Sequence, residues 1–231
     1  MTIPAPASPQ AVAALIDHTI LKADATQADV ARLCEEAVAH SFASVCVNPV
    51  FTLQVAAALR NSTVRTCVVV GFPLGANLTA TKVAETQSAL AQGATEIDTV
   101  IQVGVLKSNL DAVFSADIAA VCAACHSASA ICKVIIETCL LSEEEKVRAT
   151  RLAVAAGADF VKTSTGFGTY GATFDDVALL RTVVGPYLGV KASGGIKNLD
   201  TLLKMVEAGA TRIGTSSGVR IAQEAQARFA H

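Results

Sequence analysis

Short β-branched runs alternate along this chain with alanine-rich segments of helical spacing. Eight of these runs have the length and composition of buried strands: HTILK from His18, SVCV from Ser44, TCVVVGF from Thr66, EIDTVIQ from Glu96, CKVIIET from Cys132, FVKTSTG from Phe160, GVKASGG from Gly189 and RIGTSS from Arg212. Strands that alternate with helices form parallel sheets, and eight such strands close a barrel. The pattern therefore predicts an α/β protein with the (β/α)8 TIM barrel fold.

Helix boundaries fall between the predicted strands. Thr26 with Asp29, and Ser142 with Glu145, have the spacing of capping boxes, and Asn48 before Pro49 is typical of a helix start. Helix ends are expected at three Gly-Ala pairs, which begin at Gly93, Gly157 and Gly209. Their intervals of 64 and 52 residues each correspond to about two βα units. This weak repeat favours a closed barrel, and no Gly-x-Gly-x-x-Gly follows the first strand to indicate dinucleotide binding.

Composition restricts the domain count and the partners. The 231 residues suit one barrel domain, with residues 1–10 as a flexible N-terminal segment. A formal net charge of −2 and the lack of tryptophan argue against nucleic acid, and no apolar run is long enough to span a membrane. With no signal-peptide pattern, the seven cysteines are expected to be reduced thiols in a cytoplasmic protein. A small metabolite is the expected partner.

Three charged residues interrupt apolar strands: Asp98, Lys162 and Lys191. A lone strand lysine more often extends to a rim or pairs with a carboxylate. Here, however, Lys162 and Lys191 lie on consecutive strands at matching depth, and Asp98 lies two strands earlier, where alternate strands contribute to one interior layer. We therefore expect the three side chains to meet inside the barrel.

Their chemistry predicts a catalytic lysine. Two close ammonium groups in a dry site lower a lysine pKa and make a free amine available to attack a carbonyl. The resulting carbinolamine must lose water, which requires a carboxylate within reach, and Asp98 fits that role. The prediction is an enzyme that forms a Schiff base between Lys162 and a carbonyl substrate, with neither a cofactor nor a metal.

Two glycine-rich turns follow the last two strands: SGGI from Ser193 and GTSSG from Gly214. In TIM barrels the loops after strands 7 and 8, with a helix N-terminus nearby, commonly hold phosphate. Simple tight turns are the alternative interpretation. Lys197 could add positive charge to such a site.

The segments VCVNP, GFPLGAN, VIIETCLL, GADFVKTSTGFG, VKASGGI and EAGATRIGTSSG are long and specific. Through them the chain resembles the deoxyribose-phosphate aldolases of the shorter bacterial type from Leu15 to Val219. The resemblance implies reversible cleavage of 2-deoxy-D-ribose 5-phosphate to D-glyceraldehyde 3-phosphate and acetaldehyde. It makes Lys162 the Schiff-base lysine, Lys191 its pKa-lowering and proton-relaying neighbour, and Asp98 the general acid/base. It assigns the phosphate end to Gly166, Gly194, Gly195, Gly214, Ser216 and Ser217.

The chain departs from the family pattern at three positions. Thr99 and Gln102 replace the usual Met and Asn of DMVIN, and Tyr170 replaces a small residue. Substrate preference is therefore less well defined than reaction class. The candidates to line the pocket are Asp17, His18, Cys46, Thr165, Tyr170 and Lys197. For Asp17, His18 and Cys46 we expect packing or hydrogen bonding rather than direct chemistry. Lys133 and Glu137 share a strand face at even spacing and are expected to form an ion pair.

Two other functions stay open. The first is a phosphate-binding barrel isomerase or epimerase that uses Asp98 as a base without a covalent lysine. The second is a non-catalytic relative that binds sugar phosphates, although the presence of Asp98, Lys162 and Lys191 together argues against it. The sequence leaves the oligomeric state open, with a homodimer as one candidate.

Overall fold

A computed structural model describes residues 4–230 and contains a closed barrel of eight parallel strands in sequential order. The strands are β1 (Ile16–Ile20), β2 (Ser44–Val47), β3 (Arg65–Val70), β4 (Glu96–Val100), β5 (Ile131–Ile135), β6 (Phe160–Lys162), β7 (Gly189–Ser193) and β8 (Arg212–Thr215). Strand β1 begins two residues before the predicted position. The predicted TIM barrel is confirmed.

Helices separate the strands and form the outer layer of the barrel. Those in the described residues are α1 (Pro9–Ala13), α2 (Gln27–His40), α3 (Thr52–Leu59), α4 (Thr79–Ala91), α5 (Val103–Lys107), α6 (Asp111–Ser127), α7 (Glu143–Ala155), α8 (Phe174–Val184), α9 (Leu199–Glu207) and α10 (Gly218–Arg228). Two 3₁₀ turns, Pro49–Phe51 and Thr138–Leu140, follow β2 and β5. Of the segment predicted to be flexible, residues 1–3 lie outside the described residues, and Pro9 and Gln10 belong to α1.

The predicted helix boundaries have the expected local chemistry. Thr26 and Ser142 each accept a hydrogen bond from the backbone N–H three residues on, and both capping boxes are complete. Asn48 precedes the first 3₁₀ turn in an extended conformation, but its side chain makes no capping bond. Gly93, Gly157 and Gly209 have φ of 101°, 98° and 116°. Each therefore ends its helix in a conformation that residues with a Cβ adopt only under strain.

The strands have two faces, which alternate residue by residue. On the outer face, apolar side chains such as Ile97, Val134 and Val161 pack against the helices and form the main hydrophobic core. On the inner face, the barrel holds a small apolar group of Cys46, Cys67 and Val69, and otherwise mainly charged side chains. The barrel thus places its apolar core around the sheet and its chemistry inside.

Two further expectations concern the cysteines and the membrane. All seven cysteines are free thiols. In the part of the chain that the structure describes, no helix has both the length and the apolarity needed to cross a bilayer.

Candidate active site

Seven buried or nearly buried side chains form a charged cluster inside the barrel: Asp17, Glu96, Asp98, Lys133, Lys162, Lys191 and Arg212. Asp98 lies at its centre. Its Oδ2 accepts hydrogen bonds from Nζ of Lys162 at 2.8 Å and from Nζ of Lys191 at 2.7 Å, and its Oδ1 accepts one from Nζ of Lys133 at 2.8 Å. The structure therefore brings together the three residues that the sequence singled out and adds Lys133 to them.

Strand register explains why these side chains meet. Lys162 and Lys191 are paired Cα partners on β6 and β7, so that they lie at one height in the barrel. Asp98 is paired with Lys133 on β5, and Lys162 is paired with Ile135 of the same strand. Asp98 therefore lies two residues deeper in the barrel than Lys162, and the long side chain of Lys162 spans this difference.

A second layer of the cluster lies below Asp98. Nζ of Lys133 is 2.6 Å from Oε2 of Glu96, and Nη1 of Arg212 is 2.6 Å from Oδ1 of Asp17 and 3.1 Å from Oε2 of Glu96. Asp17 also receives a hydrogen bond from the hydroxyl of Ser44 at 2.6 Å and forms an ion pair of 2.5 Å with Lys191. Lys133 and Lys191 each therefore contact at least two carboxylates, whereas Lys162 contacts one.

The charges perturb the pKa values of the cluster in a consistent direction. Burial alone would raise the pKa of Asp98, but Lys133, Lys162 and Lys191 outweigh it and hold the pKa well below the usual value. Burial alone would lower the pKa of Lys191, but the carboxylates of Asp17 and Asp98 outweigh it and raise the pKa. The same competition raises the pKa of Lys133 and, through Lys191 and Arg212, lowers that of Asp17. In the resting site, Lys191 is therefore positively charged and Asp98 negatively charged.

The barrel mouth contains a cavity of about 310 Å³ above the cluster. Of the predicted site residues, its wall includes Lys162, Thr165, Gly166, Gly194, Gly195, Lys197, Gly214 and Ser216. Lys133 and Lys191 are not part of that wall. Of the three lysines in the charged cluster, Lys162 is therefore the one that a ligand in the cavity can reach.

Glycines shape the side of the cavity formed by β7 and β8. Gly194 and Gly195 have φ of 86° and 80°, so both adopt a backbone conformation that favours glycine. At Gly214 a Cβ would lie 2.3 Å from Oγ of Ser193 and 3.1 Å from Cε of Lys191. Glycine at this position therefore leaves room for the Lys191 side chain, and helix α10 begins four residues later.

Besides Asp98 and Lys191, four predicted site residues lie outside the cavity wall. Asp17 is completely buried in the charged cluster, and Cys46 is completely buried beside Cys67. Ser217 precedes α10, where its backbone N–H donates to Oγ1 of Thr215. The hydroxyl of Tyr170 points toward the carbonyl oxygen of Thr138, at 3.4 Å. The positions of Asp17 and Cys46 agree with the packing or hydrogen bonding expected of them, and Ser217 and Tyr170 lie beside the cavity rather than in its wall.

His18 lies on the outer face of β1, where its Nε2 is 2.7 Å from Oε2 of Glu36. Its ring is 5.1 Å from that of Phe42. The packing role expected for His18 therefore agrees with its position.

The expected ion pair between Lys133 and Glu137 is wrong. Lys133 points into the barrel toward Glu96 and Asp98. Glu137 lies two residues beyond the end of β5, where a left-handed backbone (φ 52°) breaks the strand alternation on which the expectation depended. Its carboxylate bonds Thr165 instead.

The unusual Gln102 has a structural role next to a buried ion pair. Its Nε2 donates to the carbonyl oxygen of Asn77 at 3.0 Å and to Oδ1 of Asp117 at 3.3 Å, and Asp117 pairs with the buried Lys82 at 2.7 Å. Gln102 thus ties the segment after β3 to helix α6. Thr99, which adjoins Asp98 in β4, alternates to the opposite strand face.

Two sets of buried groups have the spacing to hold a metal ion: Cys46, Cys67 and Asp98, and Asp17, Cys67 and Glu96. Nζ of Lys133 lies 3.3 Å from Sγ of Cys67, 2.8 Å from Asp98 and 2.6 Å from Glu96. The ammonium group of Lys133 therefore already supplies the positive charge that a bound metal ion would bring to these groups.

Sequence reasoning did not identify several residues of the site. Glu96 and Arg212 are the first residues of β4 and β8. Glu96 is two residues before Asp98 and so lies on the same face of β4, and this spacing could have identified it from the sequence. Thr19, Lys22 and Phe167 line the cavity. Lys22 and Lys197 form no ion pair with any described residue, so the mouth has two exposed cations.

Comparison with known proteins agrees with this geometry. The model of the DeoC/LacD family aldolases matches residues 11–224. A deoxyribose-phosphate aldolase of a Geobacillus species is 57% identical over 212 residues, which cover 92% of this chain and 95% of that protein. A crystal structure of a putative deoxyribose-phosphate aldolase from Coccidioides immitis has a TM-score of 0.93 at 39% identity, covering 96% of this chain and 88% of that one. A deoxyribose phosphate aldolase from Aeropyrum pernix, described as tetrameric, has a TM-score of 0.89 at 34% identity, covering 97% and 94%.

Proposed function

We propose, because the chain belongs to the DeoC/LacD aldolase family, that it reversibly cleaves 2-deoxy-D-ribose 5-phosphate to D-glyceraldehyde 3-phosphate and acetaldehyde. The reaction proceeds through a Schiff base on Lys162. The observation that carries this proposal is the position of Lys162, which both lines the cavity and contacts the carboxylate of Asp98. The curated relatives named deoxyribose-phosphate aldolase support the choice of substrate.

Charge balance favours Lys162 as the nucleophile. The charged cluster contains three carboxylates, and the charges of Lys133, Lys191 and Arg212 already compensate them. A proton on Lys162 would add a fourth cation to a site that has little water to solvate it. The carboxylates raise the pKa values of Lys133 and Lys191, so these two lysines serve as the compensating cations. Lys162 is the remaining amine, and it is the one that reaches the cavity.

The bond changes follow from a neutral amine. Nζ of Lys162 attacks the C1 carbonyl of the open-chain sugar, and the carbinolamine loses water to give a protonated imine. A base takes the proton of the C3 hydroxyl, the C2–C3 bond breaks, and its electron pair forms an enamine on the C1–C2 fragment. C3 leaves as the aldehyde of glyceraldehyde 3-phosphate. Protonation of the enamine at C2 and hydrolysis of the imine then release acetaldehyde.

Asp98 and Lys191 are the proposed proton carriers. Asp98 is the carboxylate next to Nζ of Lys162, and it exchanges protons with the reacting atoms directly or through one water. Lys191 shares Oδ2 of Asp98 with Lys162, so that its positive charge disfavours a second cation in the resting site and its proton can pass along the carboxylate during the reaction. A lysine, a carboxylate and a second lysine thus provide the chemistry, and no cofactor is required.

The phosphate group is proposed to bind between the turns after β7 and β8. Backbone N–H groups at Gly194 and Gly195 and the N-terminus of α10 attract an anion. Ser216 lies on the cavity wall, and Lys22 and Lys197 add positive charge at the mouth. This location is on the same cavity as Lys162, as a substrate with an aldehyde and a phosphate at opposite ends requires.

Incubation with acetaldehyde and borohydride, followed by intact-mass measurement and peptide mapping, tests the proposal. The expected adduct is one reduced two-carbon imine on Lys162, with Lys191 largely unmodified. Lys162→Arg is the matched variant and gives no adduct. An isomerase or epimerase that uses Asp98 alone would give none with the unmodified chain, and a non-catalytic relative would fail a turnover assay.

Location and assembly are also proposed. Seven free thiols suit the reducing cytoplasm. We propose a homodimer as the smallest assembly. Val50 and Leu74 lie in the segments that follow β2 and β3, and they expose 80% and 76% of their surface. A second copy of the chain would cover these apolar side chains. Sedimentation analysis of the purified chain tests this, and a monomer at micromolar concentration would contradict it.

A further inference from the structure

Glu137 is a buried acidic residue behind the cavity wall, and it takes no part in the proposed reaction. It follows strand β5, is 4% exposed and has a φ of 52°. This left-handed conformation favours glycine, so a glutamate here costs conformational free energy. Non-glycine residues persist in such conformations where surrounding structure holds them, often next to functional sites. The left-handed, buried Glu137 therefore indicates that its side chain has a specific role.

The carboxylate of Glu137 bonds the segment 165–168, here called the β6 loop, and its other oxygen faces the thiol of Cys139. Oε2 of Glu137 accepts a hydrogen bond from the backbone N–H of Thr165 at 3.2 Å and another from the Thr165 hydroxyl. The same hydroxyl oxygen accepts from the backbone N–H of Phe167 at 3.0 Å. One carboxylate thus fixes the first three residues of the loop through two linked contacts.

The loop also approaches Glu137 closely at its far end. A Cβ at Gly168 would lie 2.4 Å from Sγ of Cys139 and 3.3 Å from Oε1 of Glu137. The loop backbone is therefore packed directly against the segment that follows β5. Thr165, Gly166 and Phe167 form the cavity wall on the other side of this contact.

We propose that Glu137 is a positioning residue that holds the β6 loop in the shape that accepts the phosphorylated sugar. It acts through Thr165 and does not touch the substrate. This inference rests on the proposed function, because it assigns Glu137 to the binding of that substrate. The hydrogen bonds to a buried carboxylate are charge-assisted and stronger than neutral ones, which suits a fixed wall.

Glu137 is expected to affect substrate binding more than imine formation. Lys162 belongs to strand β6, where strand pairing to β5 and β7 and the contact with Asp98 hold it. The β6 loop lies outside this strand pairing. Thr165 bonds Glu137, and the ring of Phe167 packs edge-on against Phe72 at 5.4 Å. Loss of the carboxylate should therefore raise KM for deoxyribose 5-phosphate and leave the trapping of acetaldehyde on Lys162 almost unchanged.

The backbone of Glu137 offers a way to separate binding from stability. Glu137→Gly and Glu137→Ala both remove the carboxylate, but only glycine adopts a φ of 52° without strain. Glu137→Gly should therefore have a higher Tm than Glu137→Ala, while both raise KM by about tenfold or more, as expected for a lost charge-assisted hydrogen bond. Glu207→Gln, at an exposed position on α9, is the control for the loss of one negative charge.

Thr165→Val completes the test as a double-mutant cycle. If Glu137 acts through Thr165, the variant with both Glu137→Gly and Thr165→Val has a KM no higher than about twice that of the worse single variant. The proposal is overturned if KM stays within twofold of the unmodified chain, if KM rises only in the variant with the lower Tm, or if the two effects multiply. Borohydride trapping of the unmodified chain is a separate measurement, so failure of the aldolase proposal is distinguishable from failure of this one.

Discussion

Lys191→Met removes the fixed cation next to Lys162 and tests the electrostatic basis of the mechanism. Lys191 is completely buried and contacts the carboxylates of Asp17 and Asp98. Methionine has a similar length without the charge. After the substitution, Lys162 must help to compensate Asp98, so its protonated form is favoured.

The magnitude follows from the shared oxygen. Nζ of Lys162 and Nζ of Lys191 lie 2.8 Å and 2.7 Å from Oδ2 of Asp98, so the two nitrogens are at most about 5.5 Å apart. At an effective dielectric constant of about 20, two unit charges at that distance repel by about 3 kcal/mol. At 1.36 kcal/mol per pH unit, the loss of this repulsion moves the ascending limb of the pH–activity profile by about 2 pH units.

The assay is the pH profile of kcat/KM for deoxyribose 5-phosphate, together with the pH dependence of imine trapping by acetaldehyde. The ascending limb of both profiles should move to higher pH in Lys191→Met, because the variant lacks the Lys191 charge that repels a second cation beside Oδ2 of Asp98. Lys191→Arg keeps the charge but transfers protons poorly, so it should keep the limb and lose kcat. Lys204→Met, at an exposed position on α9, is the control.

A limb that stays within about 0.3 units in Lys191→Met, while the rate falls, would refute this reasoning, since about 2 units are expected. Burial of Lys162 alone would then have to favour its neutral form. Because the cluster titrates as a unit, the limb describes the coupled groups rather than one residue.

Two further predictions concern the phosphate end and acid stability. Ser216→Asp should raise KM for deoxyribose 5-phosphate more than about tenfold through like-charge repulsion, with a much smaller effect on non-phosphorylated deoxyribose; equal effects on both sugars would remove Ser216 from the phosphate site. The lowered pKa values of Asp17 and Asp98 contribute stability that is present above the unfolded-state value near 3.8 and is lost as pH falls through the folded-state value. The free energy of unfolding in urea should therefore decrease below about pH 4, with a shallower decrease in Asp17→Asn; equal slopes would contradict this.

Much of the fold could be predicted because its signals are local. A capping box needs two residues three positions apart, and the helix-ending Gly157 needs only its own φ. The β-branched runs identify all eight strands because both faces of a parallel strand are covered. The start of β1 was misplaced by two residues, since Ile16 and Asp17 show no local feature that separates them from the preceding helix.

The site could be predicted only in part, because its contacts join residues far apart in the sequence. Asp98, Lys162 and Lys191 are conspicuous as charges within apolar runs. The pairing of Arg212 with Asp17 depends on the closure of β8 onto β1, and no local pattern indicates it. The Lys133–Glu137 prediction assumed that β5 continues, whereas the left-handed Glu137 ends its alternation and redirects its carboxylate.

The difference in depth between the charged cluster and the mouth lysines has a consequence for ionic strength. Mobile ions screen exposed charges over about 8 Å at physiological salt, but they do not enter a packed barrel interior. Lys22 and Lys197 are exposed at the cavity mouth, whereas Asp98 and Lys191 are completely buried. Added salt is therefore expected to weaken the attraction of the phosphorylated sugar to the mouth and to leave the charge interactions around Asp98 almost constant. Under the proposed mechanism, capture of the substrate depends on the surrounding electrolyte, and the breaking of its carbon–carbon bond does not.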